Sequence, residues 1–133
     1  MILTLHLIIG AVIAVKVELL PLAILLAFLS HYFLDSLPHT EYSIENIKGR
    51  KWNRSGSDFL KLALDLAGGA ILVLIIYYLT RVNCLILFSA AFFAILPDVL
   101  IVLSWMFPNS IILKKHFNFH HSIHFPKDKN LPR

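Results

Sequence analysis

PLAILLAFLSHYFLDSLPH, residues 21–39, is an apolar run broken near its end by two histidines and an aspartate. From Leu19 to Leu37 the run is about 29 Å long as a helix, close to the roughly 30 Å hydrocarbon core of a bilayer. A charged side chain in hydrocarbon costs about 2.5 to 3.5 kcal/mol, so such groups turn toward a helix bundle and find partners there. His31, Asp35 and His39 are spaced i, i+4, i+8, which places them on one helix face that drifts by about 40° per step. Pro38 ends or kinks this helix, so His39 can belong to the following loop.

The composition around this run agrees with a membrane setting. The 133 residues are 58% hydrophobic and only 15% charged, with a mean hydropathy of +0.75, whereas soluble domains are about 25% charged. We expect one all-α, multi-pass integral membrane bundle over residues 1–133. Met1 to Val15 has no basic residue ahead of Lys16 and lacks the n-region of a secretory signal, so it reads as retained structure. Cys84 has no partner for an intramolecular disulfide and reads as a small apolar residue. The net charge of +4 comes from basic residues that flank apolar runs, which favours anionic lipid headgroups over nucleic acid as partner.

Four apolar runs predict helices over about 2–15, 19–37, 59–79 and 84–107, with a basic loop at 38–58 and a tail at 108–133. The last three runs are long enough to span; the first rises only about 21 Å. With four transmembrane helices, the loop (Lys48, Arg50, Lys51, Arg54) and the tail carry nine basic residues on one side, against Lys16 and Arg81 on the other. The positive-inside rule then makes both termini cytoplasmic. Lys48, Arg50, Lys51 and Arg54 are the candidate headgroup contacts.

On this map His6, His31, Asp65 and Asp98 all lie roughly 8 to 14 Å from the cytoplasmic helix ends, one polar group on each of four helices at nearly one depth. Asp65 also has Lys61 four residues before it as a possible ion-pair partner, and Asp98 follows Pro97, which should kink its helix. The tail carries HFNFHHSIHF, with His116, His120 and His124 again at i, i+4, i+8, His121 beside them and aromatic residues interleaved. That pattern predicts an interfacial histidine-rich segment. Ten side chains are therefore candidate metal ligands near one interface: His6, His31, Asp35, His39, Asp65, Asp98, His116, His120, His121 and His124.

Imidazole mixed with carboxylate, without thiolate, suits a divalent ion such as zinc, manganese or iron. A catalytic ion needs about three protein ligands and an open water position, and it lowers the pKa of that water toward 7. The chain has no G-x-S-x-G elbow, H-E-x-x-H, P-loop or cysteine pair, so metal-activated water is the nucleophile it offers.

Several short motifs resemble those of the small bacterial inner-membrane proteins known as membrane-bound metal-dependent hydrolases. LHLIIG supplies His6, LPD supplies Pro97-Asp98, HFNFHHS supplies His116, Phe119, His121 and Ser122, and SHYFLD supplies Ser30, His31 and Asp35. In that family the S-H-x-x-x-D motif follows the H-x-x-F-x-H-S motif, whereas here it precedes it, and Val99-Leu100 replaces a second acidic position. The resemblance implies a helical bundle with a metal site.

The expected function is a metal-dependent hydrolase acting on a lipid or phosphoester at the membrane surface. Asp35 and Asp98 are its candidate catalytic carboxylates, and His31 and His121 are further first choices as ligands. An ion or proton transporter and a non-catalytic metal-binding adaptor are the alternatives. A transport path needs polar groups through both halves of the membrane, and the outer halves of these runs are nearly devoid of them.

Overall fold

The computed structural model describes residues 3–38 and 42–123. Among them there are helices and no strands: α1 (Leu3–Lys16), α2 (Leu20–Ser36), α3 (Glu45–Lys48), α4 (Gly56–Thr80), α5 (Cys84–Met106) and α6 (Ile111–Ile123), with one 3₁₀ turn at Trp52–Arg54. The boundaries follow local chemistry. Pro21 occupies the first turn of α2, where a missing N–H costs nothing, and Leu37-Pro38 ends that helix. Arg81 closes α4 in the left-handed conformation (φ 54°), its N–H bonded to the Tyr77 carbonyl. Asn83 caps α5 by accepting the Leu85 N–H at 2.9 Å.

Helices α4 and α5 are long and apolar enough to cross a membrane. Helix α4 buries only Asp58, Gly69 and Val73 and leaves Leu64, Ile71, Leu74 and Leu79 exposed. Helix α1, with 14 residues, rises about 21 Å, and α2, with 17 residues, about 26 Å. The second run is thus shorter as a helix than as an apolar stretch, because Pro21 and Pro38 frame it. The expected loop is also partly ordered: it contains α3 and the 3₁₀ turn, and α4 begins at Gly56.

Small residues set how close the helices come. Helix α1 packs on α5, α4 and α2, while α2 also packs on α5. A Cβ on Gly10 would lie 2.8 Å from the Ala90 carbonyl oxygen and 2.8 Å from Ala94 Cβ, so only glycine allows this approach of α1 to α5. Gly69 plays the same part between α4 and α1, where a Cβ would meet Leu7 Cδ1 at 2.5 Å. On α2 the buried residues are Ala23, Ala27, His31 and Asp35, one stripe at i+4 spacing. Two alanines bring the helix in, and the next two positions of the same stripe then present a histidine and an aspartate to α5.

Candidate metal centre

Helix α2 brings His31 and Asp35, α5 brings Asp98 in line with Ala91 and Ala94, and α1 brings His6, all buried. The fourth contributor is α6. After Met106 the chain turns through 107–110 and folds back against α5 and α2. Its inward stripe is Leu113, His116, Phe117, His120 and Ile123, with His120 the buried member.

The geometry is that of a ligand set. His31 Nδ1 lies 2.8 Å from the Ala94 carbonyl oxygen. A carbonyl only accepts, so Nδ1 carries a proton and Nε2 is the ring nitrogen turned toward the cluster. His31 Nε2 is 3.0 Å from His120 Nε2 and 3.2 Å from Asp35 Oδ2. His120 Nε2 is 3.0 Å from Asp35 Oδ2. Asp98 Oδ1 lies 3.8 Å from His31 Nε2 and 3.9 Å from His120 Nε2. The ligand atoms of His31, Asp35, Asp98 and His120 all fall within 4.8 Å of one another, and this is the one such group among the described residues.

These separations can be tested against an ion. Metal–ligand bonds of about 2.0 to 2.2 Å in a tetrahedron place neighbouring ligand atoms about 3.3 to 3.6 Å apart. Five of the six edges run from 3.0 to 3.9 Å and straddle that range, and the whole set stays within 4.8 Å. Charge fits as well: two carboxylates with neutral imidazoles carry −2, which a divalent cation cancels. Asp98 Oδ2 is buried with no hydrogen-bond partner, a costly state for a carboxylate unless a cation accompanies it. The residues present can therefore hold a divalent ion.

Around the four stand the groups that orient them. His6 Nε2 lies 3.2 Å from Asp35 Oδ1, and the His6 ring sits 4.3 Å from the His31 ring, centroid to centroid. His6 thus steadies the Asp35 oxygen that points away from the four-atom cluster, leaving Oδ2 for a cation. Tyr32 Oη lies 3.2 Å from His116 Nε2. Burial first, and then the nearby His120 and His31, lower the His116 imidazole below its ordinary 6.5.

The ten candidate ligands therefore separate. His6, His31, Asp35, Asp98 and His120 come together. His116 stands one helical turn back on α6, against Tyr32. His121 is exposed and stacks on Phe117 at 6.1 Å, because the helical turn that points His120 inward points its neighbour out. Asp65 does not join the cluster: it accepts the Leu3 N–H at 2.6 Å, the Thr4 N–H at 3.2 Å and the Tyr42 hydroxyl at 3.0 Å. It neutralises the free amides at the start of α1, and Thr4 Oγ1 donates to the Asp65 carbonyl at 2.6 Å. Lys61 donates to the Ser43 carbonyl and sits 3.8 Å from Asp58. His39 and His124 lie outside the described residues. Sequence reasoning missed the Ala94 carbonyl and Tyr32; the i+4 alanine stripes, in register with His31 and Asp98, were the signal for the first.

The fold and the site define a class: a chain whose regular structure, among the described residues, is helical, with a buried His2Asp2 cluster suited to a divalent ion. Among known proteins the chain matches no family model, no curated protein and no solved structure.

Proposed function

We propose that the chain is a membrane-embedded, metal-dependent hydrolase acting on an ester or phosphoester at the membrane surface. It would carry four transmembrane helices, with both termini cytoplasmic. The observation that carries this reading is the convergence of His31, Asp35, Asp98 and His120 to within 4.8 Å in a buried setting. The motif resemblance adds to it through His6, His31, Asp35 and Asp98, while the resembling position His121 gives way to His120. The mixed imidazole and carboxylate set suits zinc, manganese or iron.

A divalent ion held there would supply Lewis acidity and activate water at neutral pH. The chain's own residues would do the rest. Ala94 holds the tautomer of His31, and His6 holds Asp35 through Oδ1. Four protein ligands close a site, whereas turnover needs an open position. His120 is the ligand able to give one up, because α6 packs chiefly on α5 and α2, whereas α2 is held by α1 as well. The exposed Lys48, Arg50, Lys51 and Arg54 would hold an anionic headgroup; an open cavity of 470 Å³ is lined by Arg50, Lys51, Trp52, Asn53 and Arg54.

Closure also favours a second reading, a non-catalytic membrane adaptor with a structural metal. The two are separated by metal analysis and by turnover of fluorogenic ester and phosphodiester probes, using wild type, His31→Ala, Asp98→Asn and His120→Ala. The hydrolase reading expects stoichiometric metal in wild type, its loss in the His31 and Asp98 variants, and turnover that follows the metal. Metal without turnover on any probe favours the adaptor, and wild type without metal removes both readings. Orientation is checked by labelling a cysteine at the exposed Asn53, expected to react from the cytoplasmic side only.

A further inference from the structure

Helices α5 and α6 form a hairpin whose turn is flanked by uncovered apolar side chains. Met106 is 48% exposed, Phe107 57%, Ile111 73% and Ile112 80%. Each of these side chains would normally be withdrawn from water. Immediately beyond them stand Lys114 and Lys115, both exposed, and just before them the half-buried Trp105, of a residue type enriched at the membrane–water interface. The apolar tip continues α5, itself long and apolar enough to cross a membrane.

Both arms of this hairpin end in the metal cluster. Asp98 lies eight residues before Met106 on α5, and His120 eight residues after Ile112 on α6. Their ligand atoms are 3.9 Å apart. The other two ligands, His31 and Asp35, belong to α2. Whatever holds the tip of the hairpin therefore holds the closing arm of the site, and whatever draws Asp98 and His120 together holds the hairpin shut.

We propose that the Met106–Ile112 tip and the Lys114-Lys115 pair dock in an anionic lipid surface, and that this docking is thermodynamically linked to metal binding at His31, Asp35, Asp98 and His120. Tip and lysines share the interfacial layer, where the apolar side chains leave water and the lysines meet the headgroup charge. The proposal rests on the metal reading above, and linkage makes it reciprocal: bound lipid tightens the metal site, and bound metal tightens the hold on the surface.

The test uses the full chain in nanodiscs of phosphatidylcholine alone or with phosphatidylglycerol, titrated with Co²⁺ and read by its visible absorption. Wild type should bind Co²⁺ roughly tenfold more tightly in the anionic discs, a coupling of ordinary size. Lys114→Gln with Lys115→Gln should remove most of that gain while leaving binding in neutral discs unchanged; accumulation of cations at an anionic surface would persist in this variant. Ile111→Ser with Ile112→Ser, at exposed positions that do not threaten folding, should weaken Co²⁺ binding in anionic discs by a similar factor. Equal wild-type affinity in both discs, or a gain that survives the lysine change, overturns the linkage while leaving the metal site standing. A change from dimer to monomer on Ile111→Ser with Ile112→Ser would show a second copy on the tip and also overturn it. Absence of a His31-dependent Co²⁺ spectrum in either disc removes the metal reading itself.

Discussion

His31 donates its Nδ1–H to the Ala94 carbonyl oxygen across 2.8 Å, so that a backbone group of α5 sets the tautomer of a side chain on α2. This one bond turns Nε2 of His31 toward Asp35, Asp98 and His120. His31→Ala should therefore abolish stoichiometric metal. His6→Ala, which removes only the group holding Asp35 Oδ1, should weaken metal by about 10- to 100-fold, the usual effect of an orienting partner. Competition titration against a chelating dye measures both, and equal affinities in His6→Ala and wild type would remove His6 from the centre.

Asp98 should show opposite effects with and without metal. Asp98→Asn removes a ligand and lowers metal affinity. In chelator it also removes a buried carboxylate whose Oδ2 has no partner, which should stabilise the metal-free protein by about 1 to 3 kcal/mol. Thermal unfolding in detergent with and without chelator should show the variant less stable than wild type when metal is present and more stable when it is removed.

Asp65 should behave as a helix cap. Asp65→Ala frees the Leu3 and Thr4 amides and should cost about 1 to 2 kcal/mol, with metal stoichiometry retained. Asp65→Asn keeps an acceptor oxygen and should cost less. Metal loss in Asp65→Asn at unchanged stability would place this carboxylate in the centre after all.

Gly10→Val should push α1 off α5, since even a Cβ there would meet the Ala90 carbonyl oxygen and Ala94 Cβ at 2.8 Å. The overpacking should cost about 1 to 3 kcal/mol, and because His6 and the Ala94 carbonyl shift with it, metal affinity should fall too. Gly68→Ala is the control: its nearest contact would be Thr4 Oγ1 at 3.7 Å, and both stability and metal binding should stay near wild type.

His116 supplies a pH signature. Its folded-state pKa lies below 6.5, so the unfolded chain binds the extra proton first as pH falls. The stability that this group contributes is present above pH 6.5 and is lost as pH falls through the folded value. Metal-free wild type should accordingly lose more stability between pH 7.5 and 5.5 than His116→Gln, measured by thermal unfolding at the two pH values.

The sequence by itself determined four of the six helices, α1, α2, α4 and α5, and the ligands His31, Asp35 and Asp98 on two of them. Apolar run length bounded α4 and α5 to within a few residues, and prolines marked the ends of α2. The i+4 spacing of His31 and Asp35 put both on one face, and rise per residue set the expectation that His6, His31, Asp65 and Asp98 share a depth. Depth is a one-dimensional property, and helical rise alone conveys it.

Tertiary structure decided the angular choices. Asp65 shares the expected depth, but Gly69 seats α4 against α1 at Thr4 and Leu7, so its carboxylate meets the amides of Leu3 and Thr4 instead of Asp35. His120 and His121 are adjacent in the chain and about 100° apart around a helix. Only the fold-back of α6 onto α5 and α2 selects His120 for the cluster and leaves His121 exposed. Which histidine faces inward depends on how helices pack, and that is set by the small-residue stripes of Gly10, Ala23, Ala27, Ala90 and Ala94 acting together.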